Sequence, residues 1–257
     1  MTDHSIYETI FMRRSVRKYD MTGNDAHIPE SIRQALQKLE PLDPAIRTEH
    51  RVLAAGEARS ALFGVAAPYY LAAYSEPAEG YLMNTGYMLQ QLDLRLSQSG
   101  IGSCWLGMTK PSRDVEAAGD MEFVIVMAAG TPAVPVHRYA VSEFRRKPLA
   151  ELTNIPGYRE DPAILSILEA ARLAPSASNT QPWFFSGTAG AIRVGRQVLN
   201  PLKAMAYGRM NQIDIGIALC HIKVAAERAG KVVEFIKEPD AAYDVKGFEY
   251  CVTARLE

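Results

Sequence analysis

Two stretches of this chain, residues 81–100 and 211–230, carry one helical pattern twice, and that repetition constrains the fold more than any other feature of the sequence. Laid over each other, Met83 meets Ile213, Gly86 meets Gly216, Leu89 meets Leu219, Leu92 meets Ile222 and Gly100 meets Gly230. Apolar residues recur at helical spacing in both copies, and each run closes on a glycine where a left-handed C-cap ends a helix. The spacing predicts two long, largely buried helices. Gly86 and Gly216 fall mid-helix, where glycine costs on the order of 1 kcal/mol relative to alanine, so their matching places point to close helix packing. A second pairing runs alongside. Pro29 leads an amphipathic stretch ending at Leu39, and Pro162 leads one ending at Leu173; proline is harmless at a helix start, where its missing N–H would have no partner.

Strand signals lie at Pro68–Tyr74 and Glu122–Ala129 in the first half, and at Trp183–Ser186, Ala191–Val194 and Phe248–Thr253 in the second. Strands mixed with helices, without strict alternation, predict an α+β layout and not a doubly wound sheet. Turn residues at Asn154-Ile155-Pro156-Gly157-Tyr158 interrupt both patterns, so the halves are expected to be 1–155 and 156–257.

Composition removes several classes of function. With 28 Lys+Arg against 29 Asp+Glu, the formal net charge of −1 gives no bulk attraction to nucleic acid or an anionic membrane, and any bound anion must be met by a local cluster. Neither nucleic acid nor membrane is expected as a partner. The longest apolar stretch, Phe123–Ala129, is far too short to span a bilayer, and the first residues show no signal-peptide pattern. Cys104, Cys220 and Cys251 are odd in number, far apart and without CxxC spacing, as expected for free thiols in a reducing cytoplasm. No metal site is expected, because His4, His27, His50, His137 and His221 never pair at ligand spacing with each other or with the cysteines. Gly100-Ile101-Gly102 follows a helix and not a strand, so it is no dinucleotide fingerprint; no GxSxG elbow or carboxylate pair points to hydrolase chemistry.

Two clusters carry chemistry. Arg13-Arg14-Ser15-Val16-Arg17-Lys18-Tyr19 puts three guanidiniums and a hydroxyl within five residues, a set able to hold a phosphate through charge-assisted bonds. Read alone, it is more readily a solvated basic helix end. Ala174-Pro175-Ser176-Ala177-Ser178-Asn179-Thr180-Gln181-Pro182-Trp183 combines small residues that admit close approach to a ligand with two amides suited to the edge of a flat heterocycle. Read alone, it is also a Pro-bounded polar cap.

Together the RRSVRxY start and the APSxxNxQPW loop resemble the two signatures of FMN-dependent nitroreductase-like proteins. Gly100-Ile101-Gly102-Ser103-Cys104-Trp105-Leu106-Gly107 is similar to that family's segment after its central helix, and Phe144-Arg145-Arg146-Lys147-Pro148-Leu149 to its basic closing stretch. In the family, one domain carries all four motifs and pairs as a homodimer with FMN at the interface. Here the motifs are divided. The first half reads Leu-Asp-Pro-Ala-Ile-Arg after Pro41 where the loop belongs, and the second half lacks the basic start. The chain resembles the TM nitroreductase group, in which the domain is duplicated within one polypeptide. The resemblance implies a nitroreductase-like fold, internally duplicated so that the halves form a pseudo-dimer, with one FMN per chain and a monomer in solution.

The family's roles carry over by position. Arg13, Arg14, Ser15 and Arg146 would hold the FMN phosphate, and Arg17 would reach the N1/O2 side of the ring. Leu106 and Gly107 would lie near N5. Pro175 would pack on the ring, while Ser176, Ser178, Asn179 and Gln181 would meet its edge and the ribityl chain. No protein side chain is expected to act as a nucleophile, since the flavin supplies the chemistry. Cys104 and Trp105 are expected to pack. The resemblance implies an NAD(P)H oxidoreductase reducing a nitroaromatic, quinone or similar small acceptor in a ping-pong cycle. The alternatives are a flavin-binding or sensing module without turnover, or a reductive dehalogenase. Acceptor choice would reside in loops over the flavin, of which Leu199–Met210 reads as apolar and mobile.

Overall fold

Both runs of the repeated pattern are helices, one spanning Tyr81–Gln98 and the other Pro201–Arg228. They close identically. Gly100 (φ 78°) lets Ile101 N reach back to Leu96 O at 2.9 Å, and Gly230 (φ 73°) lets Lys231 N reach Ala226 O at 2.9 Å. This closure needs a left-handed residue, which glycine adopts without a steric penalty. In the second helix every residue from Ile213 to Ile222 is buried, as expected of a helix apolar on all sides.

The computed structural model describes residues 5–23, 26–60, 64–113, 115, 119–238 and 243–257, and His4 lies outside them. The chain divides into two units, Met1–Glu143 and Phe144–Glu257. In the first, α1 (Ile6–Ile10) and α2 (His27–Leu36) precede β1 (Thr48–Ala54), β2 (Ala58–Ser60), β3 (Tyr69–Ser75), the helix α3 (Tyr81–Gln98), β4 (Gly102–Leu106), β5 (Thr109–Pro111) and β6 (Glu122–Gly130). Ser5 starts α1 with a capping box, its hydroxyl accepting from Glu8 N while the Glu8 carboxylate accepts from Ser5 N. Four strands pair antiparallel in the order β1-β3-β6-β4, and β2 and β5 form a small ribbon. Val16, Tyr19, Tyr70, Ala72, Cys104, Val126 and Ala128 pack in one buried cluster of this unit.

In the second unit, α4 (Pro162–Arg172) precedes β7 (Trp183–Thr188), β8 (Ala191–Gln197), the helix α5 (Pro201–Arg228), β9 (Val233–Ile236) and β10 (Phe248–Leu256). Its sheet is also antiparallel throughout, in the order β7-β8-β10-β9. Apart from α1 and the β2–β5 ribbon, the plan matches that of the first unit: short helix, strand, strand, long helix, strand, strand, with the first of the two strands after the long helix on the sheet edge. Asp161 caps α4 by accepting from Ala163 N and Ile164 N at 2.9 and 3.1 Å, with Pro162 at the first helical position. Trp183, Phe185, Ile192 and Val194 are fully buried.

Residues 144–155 attach to the second unit: Phe185 N donates to Leu152 O at 2.8 Å and Asn154 N to Phe185 O at 3.2 Å. The turn residues near 154–158 therefore end a strap that lies along β7. The stretch Leu199–Met210, read as a mobile loop, is instead helical from Pro201 onward. Asn200 accepts from Lys203 N at 2.9 Å and proline takes the first helical position, which starts a helix where a loop is expected. Leu202 and Met205 stand 80% and 88% exposed on these first turns.

Candidate functional site

In the first unit the Arg13–Arg17 run is extended and fixed at both ends. Arg13 N donates to Thr9 O at 2.8 Å, Val16 N donates to Ser103 O at 2.9 Å, and Ser15 bridges in parallel to Ser103 at the start of β4. The Gly-Ser-Cys-Trp segment is thus a strand whose edge holds the basic run. Tyr19 hydroxyl donates to Val16 O at 2.8 Å, and burial pushes its phenol far above the ordinary value.

Arg13 is 1% exposed, and a guanidinium is stable in such a place only beside a counter-charge. Asp93, fully buried on α3, supplies it, with Oδ2 at 2.7 Å from Arg13 Nε. The N–H of Nε is not aligned on that oxygen, so the contact is an ion pair and not a directed hydrogen bond. Ser103 Oγ donates to Asp93 Oδ1 at 2.6 Å and Gln90 Nε2 to Oδ2 at 3.1 Å, so both carboxylate oxygens are occupied. Arg13 Nη2 donates onward to Ser15 Oγ at 3.2 Å. Asp93 and Ser103 were not among the residues expected from the sequence.

A fourth guanidinium joins the run. Residues 137–138 lie antiparallel to residues 12–13: Arg138 N donates to Met12 O at 2.7 Å, Arg13 and His137 form a bridge, and the Arg138 guanidinium donates to Arg13 O. Burial first, and then the like charges of Arg13, Arg14 and Arg17, pull the Arg138 guanidinium down to about 10, against the opposing charge of Glu143. Arg14 is half-buried and Arg17 exposed. Leu106 is buried on β4 opposite Val126, and the exposed Gly107 begins the turn beyond it. Burial pushes the Cys104 thiol up, with Arg17 and Arg13 opposing, so it is a buried packing group and not a poised nucleophile.

In the second unit the loop after α4 holds three non-glycine residues in the left-handed region, Ser178 (φ 50°), Asn179 (φ 57°) and Gln181 (φ 51°). Such conformations cost on the order of 1 kcal/mol or more each and persist only where neighbours impose them. The neighbours are specific. Asn179 Nδ2 donates to Arg145 O at 2.7 Å while its Oδ1 accepts from Arg146 Nη1 at 2.5 Å. Gln181 Oε1 accepts from Lys147 N at 2.7 Å, its Nε2 donates to Asn179 O at 3.1 Å, and its backbone N donates to Ser176 Oγ at 2.9 Å. Arg146 also donates to Ala174 O and Leu173 O at 3.1 and 3.2 Å, closing the C-terminal end of α4 where a cation is favoured. The amides thus engage the protein's own backbone and the Arg146 guanidinium, and the basic stretch 145–147 is the template that shapes the loop. Pro175 and Gln181 are buried, Ser176 is half-buried, and Ser178 and Asn179 face solvent.

The loop is also held from α5. Asp214, buried, accepts from Ala177 N at 3.0 and 3.2 Å through its two oxygens, and Tyr207 hydroxyl donates to Ser178 Oγ at 3.4 Å. The first unit uses the same device: Asn84, in the first turn of α3, accepts from Leu42 N at 2.8 Å and Asp43 N at 3.1 Å in the segment after α2. Burial pushes the Asp214 carboxyl well above the usual carboxylate range, against the hydrogen bond from Ala177.

Among the described residues, no helix is long and apolar enough to cross a membrane, and no group of three His, Cys, Asp or Glu could hold a metal ion. A family model described as "Putative TM nitroreductase" matches residues 5–226. A solved Thermotoga maritima structure, described as a putative nitroreductase, is 21% identical, with a TM-score of 0.68 over 100% of this chain and 94% of that one. The two share a fold. A Desulfovibrio desulfuricans protein, described as a putative nitroreductase in complex with FMN, is 18% identical and covers 58% of this chain and 95% of its own, with a TM-score of 0.44. A Clostridium difficile nitroreductase family protein is 15% identical over 58% and 96%, with a TM-score of 0.45. No protein with a curated description matches the chain.

Proposed function

From the premise that this chain belongs to the TM nitroreductase family, we propose that it is an FMN-dependent NAD(P)H oxidoreductase whose acceptor is a nitroaromatic, quinone or similar small molecule. One observation carries the cofactor assignment. Arg13, Arg14, Arg17 and Arg138 gather in the first unit of a chain with no net positive charge to spare, and such a donor set fits a phosphate dianion. Bound FMN supplies the hydride and electron transfer, so the protein needs no nucleophile of its own.

The residues then divide the work. Asp93 fixes Arg13, which orients Ser15 toward the anion through its Nη2. Arg14 supplies further positive charge, and the exposed Arg17 would offer a cation to the N1/O2 side of the ring. The strained loop offers Ser178 and Asn179 at its outer surface, with Ser176, Pro175 and Gln181 supporting it, so that the ring edge and ribityl hydroxyls meet a rigid wall. Leu106 and Gly107 would lie near N5, as the resemblance implies. Arg146 acts by shaping the loop from the α4 end. The resemblance pairs one clamp with one loop for each flavin, so one FMN is expected per duplicated chain, with the monomer as the working unit.

Purified protein is to be mixed anaerobically with FMN and then with NADH or NADPH, following the flavin's visible absorbance. One flavin bound per chain, bleaching with a nicotinamide and recovery on adding a quinone or nitroaromatic are expected. Binding without bleaching by either nicotinamide would leave a flavin-binding module without turnover, and two equivalent flavins per chain would overturn the single site. Arg17→Ala is expected to slow reduction by NAD(P)H about tenfold while changing FMN affinity by less, since it removes charge stabilisation made during the reaction. Equal losses in the two assays would reassign Arg17 to the clamp.

A further inference from the structure

We propose that Arg138 is a phosphate-binding residue, a fourth guanidinium clipped onto the basic run by the antiparallel bridge between residues 137–138 and 12–13. The idea rests on the FMN reading for the identity of the anion, but its geometry does not. Residue 138 lies outside every motif, 125 positions beyond Arg13, and the chain brings it back by three contacts: Arg138 N to Met12 O at 2.7 Å, the Arg13–His137 bridge, and the guanidinium on Arg13 O. His137 anchors the bridge from its other side, with Nε2 at 3.0 Å from Ser97 O near the end of α3.

Charge supplies the second line of argument. Three guanidiniums act on Arg138 with like charge, while Glu143 opposes them and Asp93 pairs with Arg13. Glu143 is meanwhile engaged as an acceptor from Tyr139 N and Ala140 N at 2.8 and 3.1 Å, which holds it as the cap of its own turn. Four guanidiniums gathered on one run suit a phosphate monoester, which carries about −1.5 to −2 near neutral pH. Like charges repel when packed this closely, and a bound dianion relieves the repulsion. Arg138 donates to backbone through the same guanidinium, so its head group is oriented before the ligand arrives.

The test compares FMN with riboflavin, which differs by the phosphate alone, on the full chain by quenching of flavin fluorescence. Arg138→Gln is expected to weaken FMN binding about tenfold or more and leave riboflavin binding unchanged, with Arg138→Lys intermediate because it keeps the charge and loses the fork. FMN affinity equal to wild type, or equal losses for FMN and riboflavin, would overturn the proposal. If the wild type binds neither flavin, the FMN reading fails and inorganic phosphate becomes the probe. Phosphate raising the melting temperature of wild type but not of Arg138→Gln supports the site, and equal shifts in both overturn it. Unchanged far-UV circular dichroism and thermal unfolding without ligand separate lost binding from lost fold; if Arg138→Gln fails to fold, Arg138→Lys decides by the same comparison.

Discussion

Asp93→Ala is expected to lower unfolding free energy by about 3–5 kcal/mol, the cost of leaving one member of a buried ion pair without its partner. Arg13 is 1% exposed, so water cannot replace the lost carboxylate, and Ser103 and Gln90 lose their acceptor in the same step. Asp93→Asn keeps an oxygen for Ser103 but not the charge, and should fall between wild type and alanine. The double variant Arg13→Met, Asp93→Leu removes both charges together and should recover most of the stability, since a buried pair often contributes little beyond a well-packed apolar replacement. Urea unfolding of the four proteins measures this. A loss below about 1 kcal/mol for Asp93→Ala, or a double variant no more stable than the single one, would show that the pair does not hold the run. The double variant also separates folding from function: it should fold yet bind FMN poorly, because Ser15 loses the donor that orients it.

The sequence made some of these relations legible and hid others, for reasons that follow from chain separation. Helical periodicity and closing glycines are local signals, and they placed α3 and the C-terminal two thirds of α5 correctly. The strands β3, β6, β7, β8 and β10 were found because each carries a dense apolar or β-branched run, and all extend one to three residues beyond the predicted ends. By contrast β1, Thr-Glu-His-Arg-Val-Leu-Ala, carries polar and charged residues over its first four positions, and its place on the sheet edge beside β3 comes from pairing and not from its own residues. The functional residues divide in the same way. Basic and polar residues were visible as types, but the acceptors that decide their roles lie far off in sequence. Asp93 lies eighty positions from Arg13, and Arg145–Lys147 more than thirty from the amides they engage. One signal was available. Asp93 stands between Leu92 and Leu94 in a helix predicted to be buried, and Asp214 between Ile213 and Ile215 in its counterpart. A carboxylate in such a position requires a partner.

Asp214 supplies the second large effect, which depends on pH. Burial disfavours its charged form, so its folded-state value lies above the 3.8 of an exposed aspartate. Between that ordinary value and the raised one the folded protein holds a proton that the unfolded chain has released. Stability contributed by the site is therefore present below the ordinary value, falls as pH rises through the interval, and levels off above the folded-state value. Asparagine at this position carries no such penalty and still offers an oxygen to Ala177 N, which is the arrangement Asn84 already makes with Leu42 N and Asp43 N in the first unit. Asp214→Asn should therefore match wild type near the ordinary aspartate value and become more stable than it as pH rises above that value, while Asp214→Ala leaves the Ala177 N–H without an acceptor and should lose about 1–3 kcal/mol relative to asparagine at every pH. The loop reports the same change. With its tie to α5 gone, the left-handed conformations at Ser178, Asn179 and Gln181 lose one of the contacts that impose them, and backbone amide exchange over residues 176–181 should accelerate in the alanine variant and not in the asparagine one. Urea curves that stay parallel across pH for wild type and Asp214→Asn would show that the carboxyl is not desolvated in the folded protein, and equal exchange rates in all three would show that the loop holds its shape without α5.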